Sequence, residues 1–327
     1  MKSESTIAKM YKSLINKPIV SVLVPFILLL VIGGIVNPTF LGWNNLTSIF
    51  RSMAFIAIIA IGMTYAFIAK ELDLSVGSVV ALAGMICAML MINGVNMIVA
   101  IIVGVIAGTV CGMITGFIIV RFGIPTMIGS LGMMFAYRGI VYVITSGNSL
   151  YPLPEGFELL GLGSIFGIPT PFVIFIILAI IFGYILKNTA YGRSIYAIGG
   201  NTETAWLSGI KVDLIRMTTY WMTGAMSGVA GVLLASRLSS AQANAGTGWE
   251  MYVIASVIVG GTSMFGGVGT VLGTVFGALL VNMINNLLIM MNVNAYWQQV
   301  VIGVIIIIAV IFDQYRKKLV ARRKLKD

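Results

Sequence analysis

The chain has 327 residues, of which 59% are hydrophobic and only 9% are charged. Soluble domains carry about 25% charged residues, so this composition excludes a soluble globular domain and predicts an integral membrane protein. The formal net charge of +10 does not indicate nucleic-acid binding, because the basic residues cluster beside apolar segments, which is the pattern of membrane-protein topology.

Apolar runs long enough to span a bilayer recur along the chain. The first follows a lysine-rich N-terminus, and we interpret it as a retained helix because it is long and no small-residue cleavage site follows it. No linker or low-complexity segment indicates a second domain, so residues 1–327 are predicted to form a single all-α transmembrane domain. We predict about ten spans, at residues 19–36, 47–69, 74–92, 97–119, 124–145, 170–186, 215–235, 250–265, 268–290 and 297–313.

The distribution of basic residues predicts the orientation of these spans. If the N-terminus is cytoplasmic, all 20 Lys and Arg residues except Arg51, Arg138 and Arg237 fall on inner segments. Both termini are therefore predicted to lie on the cytoplasmic side. The outer segment 146–170 is predicted to be an external loop that has room for one short helix, and the basic tail 314–327 to bind anionic headgroups.

Glycines recur at four-residue steps on several predicted spans. Small residues on one stripe of a helix let two backbones approach closely in lipid, so close helix packing is the predicted role. A glycine-lined pore wall is the alternative. The three ladders are Gly104, Gly108, Gly112 and Gly116; Gly224 and Gly228; and Gly269, Gly273 and Gly277.

The sequence lacks the residues that metal sites, catalytic sites and nucleotide-binding sites most often use. The chain contains no histidine, the commonest metal ligand and general base, and its two cysteines, Cys87 and Cys111, lie inside apolar spans. No metal site, cofactor or catalytic residue is therefore predicted. The sequence also has no GxxxxGK[ST] motif to cradle nucleotide phosphates, so if the protein takes part in ATP-driven transport, the ATPase must be another polypeptide.

The segment 187–216 is a polar island between apolar spans, and it lies on the predicted cytoplasmic side. Thr202–Ser208 is predicted to form a helix of about two turns. Asn201 is its predicted N-cap, Glu203 lies in the first turn near the positive end of the helix dipole, and Gly209 stands where a C′ glycine would.

One side of this short helix is predicted to contact something outside the bilayer. Trp206 and Ile210 lie one turn apart, and Ala205 and Leu207 flank the tryptophan. Docking on a partner protein and lying on lipid headgroups are both consistent with this periodicity.

Two further motifs go beyond composition. In DLSVGS at 73–78, Asp73 or Ser75 could cap the following helix, with Gly77 in its first turn. The stretch 260–269 is so rich in glycine that a helix cannot continue through it. Such irregular backbone is tolerated near a membrane only where protein buries it or water lines it. Its glycines are Gly260, Gly261, Gly266, Gly267 and Gly269.

These motifs together resemble the permease subunit of sugar-type ABC importers, the family typified by ribose permeases. The resemblance is carried, in family order, by DLSVGS, by YGRSIYAIGGN at 191–201, by SGI at 208–210 and by GTGWE…GGTSMFGG at 246–267. The last helix pair, 285–313, is also similar, so the resemblance covers roughly residues 45–313.

The resemblance implies a type II importer fold in which two permeases, identical or different, enclose one central path. It implies ATPase domains on a separate subunit, an extracytoplasmic sugar-binding protein, alternating access driven by ATP, and a bacterial cytoplasmic membrane. The imported molecule would be a pentose, a hexose or another polar metabolite. The permease itself would perform no covalent chemistry.

The resemblance also implies a role for the island. The cytoplasmic loop of such permeases resembles E-A-A-x-x-x-G and docks in a cleft of the ATPase, and here Glu203, Ala205 and Gly209 match that spacing. Thr204 replaces the second position, and no Ile-x-Leu-Pro follows. The implied ATPase-coupling residues are Asn201, Glu203, Ala205, Trp206, Gly209 and Ile210. Lys70-Glu71 is a departure, because relatives often have two glycines there.

The ninth span offers candidates for the substrate path. Asn282, Asn285 and Asn286 fall on one helix face, and a buried amide without a partner costs about 1–3 kcal/mol, so they must face protein or water. They either tie helices together or line a watery path that contacts sugar hydroxyls. Tyr296 and Trp297 could close the outer end of that path or belong to an aromatic interface belt.

A proton-coupled secondary transporter is the competing function. Such carriers place ionisable groups near the bilayer centre. The predicted spans hold only Arg138 among charged residues well away from their ends, and no interior carboxylate, which argues against proton coupling.

Overall fold

The computed structural model describes residues 18–324, and within that range the chain is almost entirely helical. The elements are α1 (Pro18–Val36), α2 (Trp43–Ile68), α3 (Val76–Ile92), α4 (Met97–Phe122), α5 (Thr126–Thr145), α6 (Leu159–Leu162), β1 (Ser164–Ile165), β2 (Ile168–Pro169), α7 (Thr170–Asn188), α8 (Ala190–Gly200), α9 (Thr202–Leu207), α10 (Val212–Leu238), α11 (Trp249–Val259), α12 (Val271–Met290) and α13 (Ala295–Lys324).

Each of the ten predicted spans corresponds to a helix, which confirms an all-α membrane protein. By length and composition, α2, α4, α5, α7 and α12 could each cross a bilayer unaided. Shorter apolar helices occur at Pro25–Val36, Val76–Ile92, Trp249–Val259 and Tyr296–Ile311. The long α10 lies at the centre and packs against α2, α3 and α4.

The glycine ladders lie where helices cross, as predicted, except that Gly269 precedes α12 and belongs to the glycine-rich loop. A Cβ atom on Gly108 of α4 would lie 2.6 Å from the Gly228 Cα of α10, and one on Gly224 would lie 2.8 Å from the Gly112 Cα. These positions require glycine because backbone faces backbone. Likewise, a Cβ on Gly277 of α12 would lie 2.6 Å from the backbone nitrogen of Gly260 at the end of α11.

Helix α11 is shorter than predicted. The span was predicted at 250–265, but the helix ends at Val259 because Gly260 and Gly261 follow it, the second with φ +85°. Eleven residues are only about 16 Å long, roughly half the hydrocarbon thickness of a bilayer. The remaining depth must be crossed by irregular backbone.

Three other segments differ from their predictions. The outer segment contains the short helix α6 and also an antiparallel hairpin, in which Ser164 pairs with Pro169 and Ile165 with Ile168. The island contains a second helix, α8, which was not predicted. The last span was predicted to end at 313, but α13 continues to Lys324 and so includes the first part of the predicted basic tail. Residues 325–327 of that tail lie outside the described range.

Candidate functional site

The short island helix α9 has the two caps that its sequence predicts. The Asn201 side chain accepts a hydrogen bond of 3.0 Å from the Thr204 backbone N–H. Gly209 adopts φ +81°, and its N–H donates to the Trp206 carbonyl while the Ile210 N–H donates to the Ala205 carbonyl. This pair of bonds is a Schellman motif, which favours glycine at the left-handed position.

The outward face of α9 differs from the predicted one. Ala205 is buried against Ile198 and Val212, and Ile210 packs on the same cluster. Trp206 and Leu207 instead are 66% and 72% exposed. The exposed apolar pair is therefore Trp206 and Leu207. The sequence pattern alone did not single out Leu207, because the folding of α8 and α10 decides which face is covered.

Three parts of the chain meet beside α9 at what we call the glycine junction, formed by Ile68, Gly199 and Gly267. The Gly267 N–H donates a 2.9 Å hydrogen bond to the Ile68 carbonyl at the end of α2, and Gly199 of α8 lies so close that any Cβ would overlap both. Gly266 and Gly267 both have positive φ. The Tyr196 hydroxyl adds a 2.6 Å hydrogen bond to the Gly269 carbonyl. The island is thereby fixed to the glycine-rich loop.

A buried ion pair joins the island to the connection between α2 and α3. The Arg216 guanidinium contacts the Glu71 carboxylate, which is only 3% exposed and also accepts a 2.7 Å hydrogen bond from the Tyr220 hydroxyl. Burial raises the pKa of the Glu71 carboxyl, whereas the Arg216 charge and these hydrogen bonds oppose the rise. Glu71 therefore anchors the N-terminal part of α10 through Arg216 and Tyr220.

Asp73 lies deeper than its sequence position predicts. It is 1% exposed, and it accepts hydrogen bonds from the Ser75 N–H at 2.9 Å, the Ser75 hydroxyl at 2.6 Å and the Thr223 hydroxyl at 2.9 Å. Thr223 lies near the middle of α10. No interior carboxylate was predicted for the spans, but the structure buries the Asp73 carboxylate between the helices, because residues 69–75 fold back toward Thr223 instead of forming a surface loop.

Of the two capping residues predicted for α3, Asp73 accepts a backbone N–H at the helix entry, that of Ser75, whereas Ser75 does not cap. Ser75 occupies the N-cap position, but its hydroxyl makes no capping bond because it donates to Asp73. Gly77, in the first turn, lies against the backbone of Gly246, and an added Cβ there would lie 3.3 Å from the Gly246 carbonyl carbon and closer still to its oxygen. The DLSVGS motif thus brings the first turn of α3 into close contact with the connection between α10 and α11.

Lys70 makes the turn for which glycine is better suited. It occupies the left-handed region with φ 65°, and the bonds from Glu71 N to Ala66 O at 2.8 Å and from Lys70 N to Phe67 O at 3.0 Å form a second Schellman motif. A side chain at this position costs about 1–2 kcal/mol relative to glycine.

We expect Lys70→Gly to raise the stability of the folded protein by about 1 kcal/mol, because glycine adopts this conformation without strain. The midpoint of thermal unfolding in detergent should rise. Gly209→Ala places a side chain at the equivalent position of α9 and should shift the midpoint in the opposite direction. A fall on Lys70→Gly would show that contacts of the lysine side chain outweigh the backbone strain.

The asparagine stripe of α12 is largely engaged within the chain. Asn286 exchanges two 2.9 Å hydrogen bonds with Asn45 of α2, and the Asn282 side chain donates to the Ala278 carbonyl of its own helix. Of the three asparagines, Asn285 alone has a buried side-chain oxygen without a hydrogen-bond partner among the described residues. Tyr296 and Trp297 are 78% and 60% exposed at the start of α13. These contacts favour the helix-tying alternative, and a path along this stripe stays a prediction.

Known proteins resemble this chain over most of its length. Residues 45–310 match the family described as the permease component of the branched-chain amino acid transport system. The ribose import permease protein RbsC of Bacillus subtilis is 40% identical over 89% of this chain and 90% of its own. The D-allose transport system permease protein AlsC of Escherichia coli is 38% identical over 89% and 90%. The L-arabinose ABC transporter permease protein AraH of Azospirillum brasilense is 34% identical over 96% and 91%. No solved structure matches the chain.

Proposed function

Because the chain belongs to the family of branched-chain amino acid transport system permease components, we propose that it is the transmembrane permease of an ABC importer for a monosaccharide. The observation that carries this proposal is the exposed α9 helix fixed to the membrane helices by the glycine junction. A surface that must pass on a partner's movement has to be both accessible and rigidly attached. ATP would be hydrolysed by a separate subunit with two nucleotide-binding domains.

The relatives indicate the class of substrate. Those named above are permeases for ribose, D-allose and L-arabinose, all neutral monosaccharides. We therefore assign this chain a pentose or hexose, which an extracytoplasmic binding protein delivers to a path between two permease copies. The basic residues at the inner ends of the spans support a bacterial cytoplasmic membrane with both termini inside.

The exposed side chains of α9 fit a protein cleft better than a lipid surface. Trp206 and Leu207 present a compact apolar knob, and Glu203 beside them is also exposed. Anionic headgroups favour Lys and Arg on the polar face of an interfacial helix, but residues 202–207 contain neither. Aromatic residues that fill a partner's pocket are the usual anchors of protein interfaces.

Movement of α9 would reach the transport helices by two routes. The first is the glycine junction, where backbone contacts backbone and no side chain can yield. The second is the Arg216–Glu71 pair, which links the end of the island to the buried connection that carries Asp73. Alternating access needs such rigid links, because packed elements move between discrete arrangements.

Reconstitution tests the function directly. The permease is placed in liposomes with its ATPase, and the binding protein is added outside with labelled D-ribose, D-allose or L-arabinose. We expect uptake of one sugar that requires ATP and persists when a protonophore removes the proton gradient. Uptake that needs no ATP and stops with the protonophore would establish the competing proton-coupled carrier.

Gly209→Val is expected to uncouple the complex. A β-branched residue cannot adopt φ +81° without strain, so the Schellman motif should open at a cost of about 1 kcal/mol or more, and Trp206 should lose its orientation. The ATPase should then co-purify poorly with the permease, or hydrolyse ATP without sugar uptake.

Gly200→Val is the matched control. A Cβ at Gly200 meets no atom within 4 Å, and that residue does not have positive φ, so the same side chain adds no backbone strain. We expect it to retain assembly and uptake. Normal ATPase capture and uptake by the Gly209→Val protein would contradict the docking role of α9.

A further inference from the structure

The connection between α10 and α11, residues 239–248, extends into the membrane from the outer side. The end of α11 leads into the glycine-rich loop that packs on the inner end of α2, and eleven helical residues from there reach only about halfway across the bilayer. The polar residues just before α11 must therefore lie at hydrocarbon depth.

An arginine on a neighbouring span holds this connection in place. Arg138 donates hydrogen bonds of 2.8 Å to both the Ala243 and Ala245 carbonyls and one of 3.2 Å to the Gly77 carbonyl. It lies near the middle of α5, which sets the depth of the connection independently of α11. Gly246, with φ +67°, lies against Gly77 on the other side.

The side chains around this braced backbone are polar and accessible. Asn244 and Thr247 are exposed, whereas Gln242 and Glu250 are half-buried. Glu250 lies in the first turn of α11, and its carboxylate lies against Gly77, where an added Cβ would be 3.0 Å from Glu250 Oε2. Exposed polar groups and irregular backbone at hydrocarbon depth are tolerated only where they line a water-filled space or are covered by protein.

We propose that Asn244, Thr247 and Glu250 line the transport path at the middle of the membrane and bind the hydroxyl groups of a neutral monosaccharide as it passes. This inference rests on the proposed function, which supplies the sugar. An amide, a hydroxyl and a carboxylate offer both donors and acceptors to a polyol. Arg138 is a positioning residue here, because its guanidinium is occupied by backbone carbonyls. The Thr247 hydroxyl donates a 2.7 Å hydrogen bond to the Asn244 carbonyl, so it offers a sugar its acceptor lone pairs. The α12 asparagines are less suited, since the amide groups of Asn282 and Asn286 are bonded to other helix residues.

Accessibility of an introduced thiol tests the proposal. Thr247→Cys is made in a background in which Cys87 and Cys111 are alanine, and the complex in liposomes is treated with a membrane-impermeant methanethiosulfonate. Phe135→Cys is the control, since Phe135 is 67% exposed on α5 and about one turn from Arg138. We expect Thr247→Cys to react about tenfold faster or more, because a thiolate forms readily only in water, and its rate to change with ATP.

Further variants separate the outcomes. Asn244→Cys repeats the test if Thr247→Cys lowers the amount of folded protein, and Asn285→Cys tests α12. Slow labelling at 244 and 247 in every nucleotide state with rapid labelling at 285 would overturn the proposal in favour of α12. Disulfide cross-linking between two copies through Thr247→Cys, without labelling, would overturn it by showing that the second permease covers the segment. Labelling does not require uptake, so absence of ATP-driven sugar uptake in the unmodified protein would count against the proposed function alone.

Asn244→Leu provides a functional readout. The leucine is of similar size but offers no hydrogen bond, so sugar uptake should fall about tenfold while ATPase assembly and the unfolding midpoint stay unchanged. Unchanged uptake by both Asn244→Leu and Thr247→Val would overturn a role in binding the sugar.

Discussion

Replacing Arg138 by methionine is expected to remove most of the folded protein from the membrane. Methionine keeps the apolar stem but leaves the carbonyls of Ala243, Ala245 and Gly77 without their donor. A buried polar group that loses its partner costs about 1–3 kcal/mol, so three of them amount to a loss of about 3 kcal/mol or more. The yield of monodisperse protein in detergent and its unfolding midpoint measure this effect.

Two further variants test whether the lost hydrogen bonds of Arg138 cause the loss of folded protein. Arg138→Lys keeps the charge, but a compact ammonium cannot reach both connections as a planar guanidinium does, so we expect partial recovery. Arg121→Met removes an exposed arginine at the end of α4 and should leave the yield unchanged. If Arg138→Met and Arg121→Met behave alike, the arginine does not brace the two connections.

The positions of the membrane spans along the chain could be predicted from the sequence, whereas how far each segment reaches across the membrane could not. Hydropathy marks each span because the bilayer requires apolar runs of a certain length. It does not show that α11 covers only half of the membrane or that residues 69–75 fold back to Thr223. Those features depend on the contact between Gly77 and Gly246 and on the hydrogen bonds that Arg138 donates. Both join residues that are far apart in the chain.

The island illustrates the same division between local and long-range information. Asn201 and Gly209 could be predicted because capping involves only neighbours in sequence. The choice between Ile210 and Leu207 as the exposed partner of Trp206 depends on the burial of Ala205 by α8 and α10. The pairing of Asn286 with Asn45 was likewise beyond prediction, since the two residues belong to different helices.

Glu71 connects the two proposed functional regions. Its carboxylate binds Arg216 at the base of the island, and two residues later Asp73 binds Thr223 near the depth of the proposed sugar contacts. A displacement of α9 would therefore act on the same buried connection, which leads into α3 at Val76. Gly77, in the first turn of α3, accepts a hydrogen bond from Arg138 of α5. Lys70-Glu71 thus combines a left-handed turn at Lys70 with a charged link at Glu71.

Gly108→Leu is expected to prevent α4 from packing on α10. The amount of folded protein should fall about as strongly as in Arg138→Met. The added Cβ would lie 2.6 Å from the Gly228 Cα and 2.7 Å from the Gly224 carbonyl oxygen, and neither atom belongs to a side chain that could move aside. Overpacking of a core costs about 1–3 kcal/mol even when side chains can adjust, so a clash with backbone should cost more. Surface expression and the unfolding midpoint in detergent measure the loss.

Gly132→Leu on α5 is the matched control, because a Cβ there meets no atom within 4 Å and the same apolar side chain would simply extend from the helix. It should express and unfold like the unmodified protein. Gly108→Ala should be intermediate, since a methyl group requires a smaller separation of the two helices than a leucine does. If Gly108→Leu instead folds normally but blocks sugar uptake, the glycine stripe of α4 faces the path, and the packing of α4 on Gly224 and Gly228 cannot be what requires glycine at this position.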